Sequence, residues 1–358
     1  MFLVSGVDLV VAACINGVVG SFPTANCRTG EELDQWLATM REQTGAHEQR
    51  TGTPAAPVCP NLIVHPSNPR LAEDLEIVVR HRPAMVITSV GSPAKVAGRL
   101  RDAGALVFAD VATIRHAERA IAGGADGLVL LTAGAGGQTG WLNPFAFVRA
   151  VRKFFDGPIV LAGGISDGHA LHAAQVLGCD LAYMGTRFLA TNESLVSQEY
   201  RDMLVGHSAE QIVYTPSIST IPANFLRESI VAAGLDPDHL PVPERVDLGH
   251  VTNPHAAEPA STTAPKAWKE IWSAGQSVAG IDSVVPVAEL VDQLEAEYTQ
   301  AKGELLVPLL ARLQPVDHRP LVQPEAVVGA RPRHRRREQV THEGDGPPPS
   351  PDEVVDVE

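Results

Sequence analysis

The feature that most constrains this chain is a rhythm. Short apolar, β-branched runs alternate with amphipathic segments through its first two thirds. The runs are Val18–Phe22, Leu62–His65, Met85–Ser89, Ala105–Asp110, Gly127–Leu131, Pro158–Ala162 and Leu181–Met184, and helical periodicity falls near 31–43, 69–82, 93–103, 114–122, 144–155 and 168–177. Strands buried on both faces read as continuous apolar runs rather than as alternating ones. Strand–helix alternation of this kind builds a parallel sheet wrapped in helices. Thr29 and Glu32 have the spacing of a capping box and mark the start of the first long helix.

Seven runs are one short of a closed (β/α)8 barrel, and an open sheet has two edges to protect. Residues 8–13 read as a helix, yet only six residues, Met1 to Gly6, stand before the stretch that begins at Val7. The expected fold is therefore an α/β (β/α)8 TIM barrel lacking its first strand because the chain starts late, at an internal methionine of a longer barrel protein. A doubly wound open sheet is the alternative architecture. The barrel is expected over 1–235 and a Pro- and Thr-rich surface loop over 236–264. A C-terminal helical segment packing on the barrel is expected over 265–314, with Val287, Leu290, Val291 and Leu294 on one face. A disordered tail is expected over 315–358, where a basic run at 331–337 gives way to prolines and an acidic end.

Charge and cysteine usage narrow the partners. With 42 acidic against 28 basic side chains the net charge is −14, so the chain lacks the basic footprint that nucleic acid demands. No apolar stretch approaches the ~18 residues that would suggest a membrane span. Cys14, Cys27, Cys59 and Cys179 are scattered, without CxxC or metal-ligand spacing, which fits a reducing cytoplasm and no metal. The expected partner is a small molecule; a homodimer is compatible with the sequence.

Active sites of parallel barrels lie at the C-terminal ends of the strands. The loops there include Asn61 and His65, the dense run Ala133-Gly134-Ala135-Gly136-Gly137-Gln138-Thr139-Gly140, then Gly163-Gly164 and Gly185-Thr186-Arg187. Glycines after the last two strands suit a phosphate, because backbone N–H groups reach it without a Cβ in the way. Asp110 at its strand end is expected to cap the next helix. His65 reads as a residue packed at a strand end, His116, His169 and His172 as surface residues, and Tyr183 as packing under or contacting a cofactor. Cys27 and Cys59 lack partners that would activate a thiolate. The 213–220 stretch, with Tyr214 and nearby Asn224, reads as a lid of no assigned role.

Three of these segments, 133–140, Leu161–Ile165 and Tyr183–Thr191, resemble the FMN-dependent nitronate monooxygenases. Asn61–Val64, Ala122–Gly127 and Trp272–Ser277 follow in the same family order across roughly residues 1–300. The resemblance implies a TIM barrel carrying FMN, with a small helical part near the C-terminus. It implies that Gly163, Gly164, Gly185 and Thr186 hold the FMN phosphate, that Asn61 and Gly136 touch the flavin, and that Gln276 folds back toward it. It also implies that Met1 is the methionine of the Pro-Met pair ending the family's first strand. Many members have a Gln where this chain has Leu131. At Gln138 the family has a His that acts as base on neutral nitroalkanes or orients the substrate. A carboxamide donates and accepts hydrogen bonds but exchanges no proton near neutrality. The expected activity is oxidation of alkyl nitronates, small anions already deprotonated, by dioxygen to a carbonyl compound and nitrite. The alternatives are an enoyl or enone reductase or dehydrogenase using NAD(P)H on the same scaffold, and a non-catalytic truncated flavin barrel.

Overall fold

The computed structural model describes residues 1–252, 254–255 and 268–306. Its main sheet has seven parallel strands, β1 (Gly20–Pro23), β2 (Val58–Ile63), β3 (Met85–Ser89), β4 (Leu106–Val111), β5 (Gly127–Leu131), β7 (Ile159–Ala162) and β8 (Leu181–Tyr183), hydrogen-bonded in chain order. The two-residue strand β6 (Gly137–Gln138) leaves this order for a second, antiparallel sheet with β10 (Ala223–Leu226) and β9 (Ile212–Thr215). The expected α/β barrel is the observed fold, with β1 and β8 as the two edges of the curled sheet.

Period-two alternation sorts each strand's side chains. The outward set packs on the helices. Phe22, Leu62, Val86 and Val107 meet Val10 and Cys14 of α1 (Val7–Ile15), Leu33, Leu37 and Met40 of α2 (Gly30–Thr51), and Leu75 and Val78 of α3 (Leu71–His81). Leu128, Leu130, Ile159 and Leu161 meet Ala117 of α5 (Ile114–Ala122), Phe147 and Val151 of α6 (Pro144–Val151), and Ala174 of α7 (Gly168–Leu177). The inward set fills the barrel with Cys59, Ile87, Phe108, Val129, Val160 and Ala162, beside Leu131 and Tyr183. Local chemistry sets the helix starts. Thr29 accepts from Glu32 N, while Glu32 Oε2 takes the Arg28 N–H at 2.6 Å. The remaining link is α4 (Ala97–Asp102).

The open side of the sheet is covered from outside. Val287, Leu290 and Leu294 of α12 (Val287–Leu306) bury with Leu9 of α1 and Phe188 of α8 (Thr186–Leu189), next to Val18 and Met184 at the edge strands. Covering an unpaired edge with a helix protects it from adding a foreign strand. Across the same side, the Tyr183 hydroxyl donates to Ser21 Oγ at 3.2 Å.

The C-terminal plan differs from its expectation in detail. Helix is present over Val287–Leu306 rather than from residue 265, because glycines and Pro286 interrupt the period; the described part of the approach, 268–286, has a single 3-10 turn at Gln276–Gly280. Within 236–252 the chain forms the short helix α11 (Gly249–Thr252), whose Val251 buries with Leu248 against Ala25 and Ile63. The remaining helices are α9 (Gln198–Leu204) and α10 (Arg227–Ala232). The tail expected over 315–358 lies outside the described residues. Among the described residues no helix is long and apolar enough to cross a membrane.

Candidate active site

The site begins with the glycine-rich loop after β5. Thr132 N donates to Ala162 O, and the Thr132 hydroxyl donates to the same carbonyl at 2.8 Å, tying β5 to β7 where both strands end. Thr139 closes the loop by donating its hydroxyl to Thr132 O at 2.5 Å. The loop is then gripped from distant parts of the chain. Asn224 Nδ2 donates to Ala133 O at 2.8 Å and to Ala135 O at 2.7 Å. Gln276 N donates to Gly134 O at 2.9 Å, and Gly275 N donates to the Thr186 hydroxyl at 2.9 Å. Gly136 makes this approach possible, since a Cβ there would lie 2.7 Å from Gly275 N and 3.1 Å from Thr186 Oγ1.

The ends of β7 and β8 face this loop. Gly163 has φ +115, and a Cβ on it would lie 2.5 Å from Thr132 Oγ1, so only glycine fits. Gly164 has φ +74 with open space where its Cβ would be, and it is exposed. Beyond the sheet ladder, in which Ala162 pairs with Tyr183, the backbone N–H groups of Gly163, Gly164, Gly185 and Thr186 have no acceptor among the described residues. The next side chain, Arg187, is buried, and its Nη1 is shielded from solvent with no partner among the described residues. Burial lowers its pKa from the ordinary value, against the opposing charges of Glu297 and Asp282. Met1 reaches the same place, with its Cγ and Sδ 3.7 Å from the position of a Cβ on Gly185.

A second polar group lies inside the barrel mouth. Ser89 Oγ donates to Asn61 Oδ1 at 2.7 Å, and Asn61 Nδ2 donates to Asp110 Oδ2 at 3.3 Å. This corrects the expectation that Asp110 caps a helix. The N-cap of α5 is Thr113, whose hydroxyl accepts from His116 N. Asp110 shares strand parity with inward-facing Phe108, so its carboxyl points away from the helix layer. Burial pushes that carboxyl up to about 7, with the Asn61 hydrogen bond and the Met1 amino group opposing.

Gln138 lies on β6, paired with Ala223 of β10, and its Nε2 is shielded from solvent without a partner among the described residues. His65 Nδ1 is 2.7 Å from Ser67 Oγ while its Nε2 is shielded and has no partner among the described residues, and burial lowers its pKa. His169 is exposed, but His116 and His172 are half-buried rather than on the surface, the latter edge-on to Tyr298. The four cysteines are buried and free, and burial raises Cys14 and Cys179 to about 11, Cys27 to about 12 and Cys59 as well, so no thiolate is available. Sequence reasoning gave Asn224 no role. Its only signal was an amide-bearing residue within a strand pattern, and its partners lie about ninety positions upstream. No group of three or more His, Cys, Asp or Glu among the described residues suits a metal ion.

Comparison with known proteins bears on the family and the fold. The family model described as nitronate monooxygenase matches residues 24–297. A protein named nitronate monooxygenase from Paraburkholderia phytofirmans is 31% identical over 294 residues, spanning 78% of this chain and 76% of its own length. The solved nitroalkane oxidase of Streptomyces ansochromogenes superposes with a TM-score of 0.67 at 25% identity, over 84% of this chain and 94% of that one. FabK from Thermotoga maritima shares the fold, with a TM-score of 0.66 at 23% identity over 85% of this chain and 92% of its own.

Proposed function

The chain belongs to the nitronate monooxygenase family of oxidoreductases, and from that premise we propose that it oxidises preformed alkyl nitronates with dioxygen to a carbonyl compound and nitrite, using FMN. The residues present suit that cofactor. The backbone amides of Gly163, Gly164, Gly185 and Thr186 at the ends of the last two strands favour a phosphoryl dianion. Met1, Asn61, Gly136 and Gln276 surround the barrel mouth and would line the flavin. When bound, FMN supplies the electron transfer and the reaction with dioxygen.

The chain's own residues bind and orient. Asn61, fixed through Ser89 and Asp110, keeps its carboxamide in one orientation, and the Asn224 grip holds the loop that carries Gln138. Gln138 is the observation that carries the choice of substrate. Its shielded, unpartnered Nε2 is a hydrogen-bond donor suited to an oxygen of the nitronate, and a carboxamide has no proton equilibrium with which to deprotonate a neutral nitroalkane. Imidazole at that position would serve as a base; the carboxamide leaves the enzyme dependent on substrate that has already lost its proton.

Oxygen consumption measured with equilibrated nitronate and with freshly dissolved neutral nitroalkane tests this reading. Turnover is expected on the nitronate only, and equal rates on both forms would overturn it. Anaerobic mixing separates the reductase alternative, which requires bleaching of the flavin absorbance by NADH or NADPH rather than by nitronate.

A further inference from the structure

A carboxyl group inside the barrel mouth, so far only a hydrogen-bond partner of Asn61, exchanges no proton in the chemistry just described. Asp110 Oδ1 is shielded from solvent and has no partner among the described residues, while Oδ2 has one contact, a 3.3 Å hydrogen bond from Asn61 Nδ2. Its neighbours on the inner face of the sheet, Ile87, Phe108 and Val129, are apolar. A shielded carboxylate with an empty acceptor site is costly, and the neutral acid is less so. With Ser89 Oγ donating to Asn61 Oδ1 at 2.7 Å, the amide presents its Nδ2 to Asp110 Oδ2 and leaves Asp110 Oδ1 without a donor among the described residues.

We propose that Asp110 is a proton-exchanging positioning residue that couples reduction of a flavin at the barrel mouth to uptake of one proton by the protein, acting through Asn61. The inference rests on the FMN reading above. In balance, the oxidised flavin gains two electrons from the substrate and one proton on its own ring. An ionised Asp110 gains one further proton from solvent, so the electron pair arrives with two protons instead of one. The added negative charge on the flavin raises the carboxylate's proton affinity, and the apolar surroundings strengthen that coupling.

The titratable groups facing Asp110 come from three elements. They are the Met1 amino group of the N-terminal segment, Cys59 of β2 and Tyr183 of β8. Burial lowers the Met1 amino group while attraction to the Asp110 carboxylate opposes that shift, so the two groups titrate as a pair. Cys59 and Tyr183 are both raised by burial and stay protonated around neutrality. Asp110 is the member of this cluster with a shielded oxygen that has no partner among the described residues, and its substitution separates its proton from that of the amino group.

The test is the midpoint potential of FMN-reconstituted protein against pH, for wild type, Asp110→Asn and Asp110→Glu, with the carboxyl followed by carbon-13 NMR in the flavin-free protein. Wild type is expected to show a pH range, beginning near neutrality, in which its potential falls with the slope of one more proton per electron pair than Asp110→Asn. Asp110→Glu keeps a titratable carboxyl and is expected to retain the steeper range. Identical profiles in wild type and Asp110→Asn, or a carboxyl that is fully ionised well below neutrality, would overturn the inference and leave the FMN reading intact. Failure of the wild-type chain to take up FMN would overturn both.

Discussion

The hydroxyl of Tyr183 donates to Ser21 Oγ at 3.2 Å, a hydrogen bond between the first and last strands of a sheet whose edges do not pair. It bridges inside the barrel the side that α12 covers outside. Tyr183→Phe keeps the ring in the inner core and removes only this link. The expected result is a loss of about 1 kcal/mol in urea unfolding with an unchanged fold by circular dichroism.

Asn224 serves two carbonyls of the glycine-rich loop with one amide nitrogen. Asn224→Ala strands both acceptors at a cost of about 1–3 kcal/mol. The loop loosens, and FMN affinity, read by quenching of flavin fluorescence, is expected to fall by about tenfold or more.

Gly163 and Gly164 separate backbone from steric demands. Gly163→Ala drives a methyl group into Thr132 Oγ1, whereas Gly164→Ala meets only the left-handed backbone cost of about 1 kcal/mol. In thermal melts of flavin-free protein, Gly163→Ala is expected to be the markedly less stable of the two.

Gln138→His supplies the base that the carboxamide lacks. Turnover of neutral nitroalkane is expected to rise by about 100-fold or more, in line with general-base contributions, with activity on preformed nitronate changing far less. Steady-state rates on the two substrate forms give both numbers.

Asp110 makes stability depend on pH with a definite sign. Its folded pKa, about 7, lies above the ordinary carboxylate value, so between the two the folded state binds more protons than the unfolded state. Its contribution to stability is complete below the unfolded pKa and is lost as pH rises through the folded one. Flavin-free wild type is expected to lose on the order of 4 kcal/mol at most relative to Asp110→Asn between about pH 4 and about pH 7, measured by denaturant titration.

The parts of this molecule legible in the sequence are those set by local periodicity. The seven parallel strands follow from apolar runs, and the start of α2 follows from Thr29 and Glu32. Asp110 was misread because a run buried on both faces conceals which side each residue takes; parity with Phe108 decides it, and Phe108 looks the same facing either way. The second sheet was hidden for a different reason. A two-residue strand such as Gly137–Gln138 has no period, and β9 and β10 flank a stretch rich in Ser, Thr and Pro. Asn224 and Gln276 act on the glycine-rich loop over separations of roughly ninety and one hundred and forty positions, which no local pattern records.

That loop is shaped by residues made long after it. Gly134 and its neighbours leave the ribosome well before Asn224, and Gln276 follows later still, so a growing chain that already has all seven barrel strands still has its glycine-rich loop unbraced. On the proposed FMN reading, a product cut short between the last barrel strand and residue 276 is expected to carry the scaffold without a braced loop.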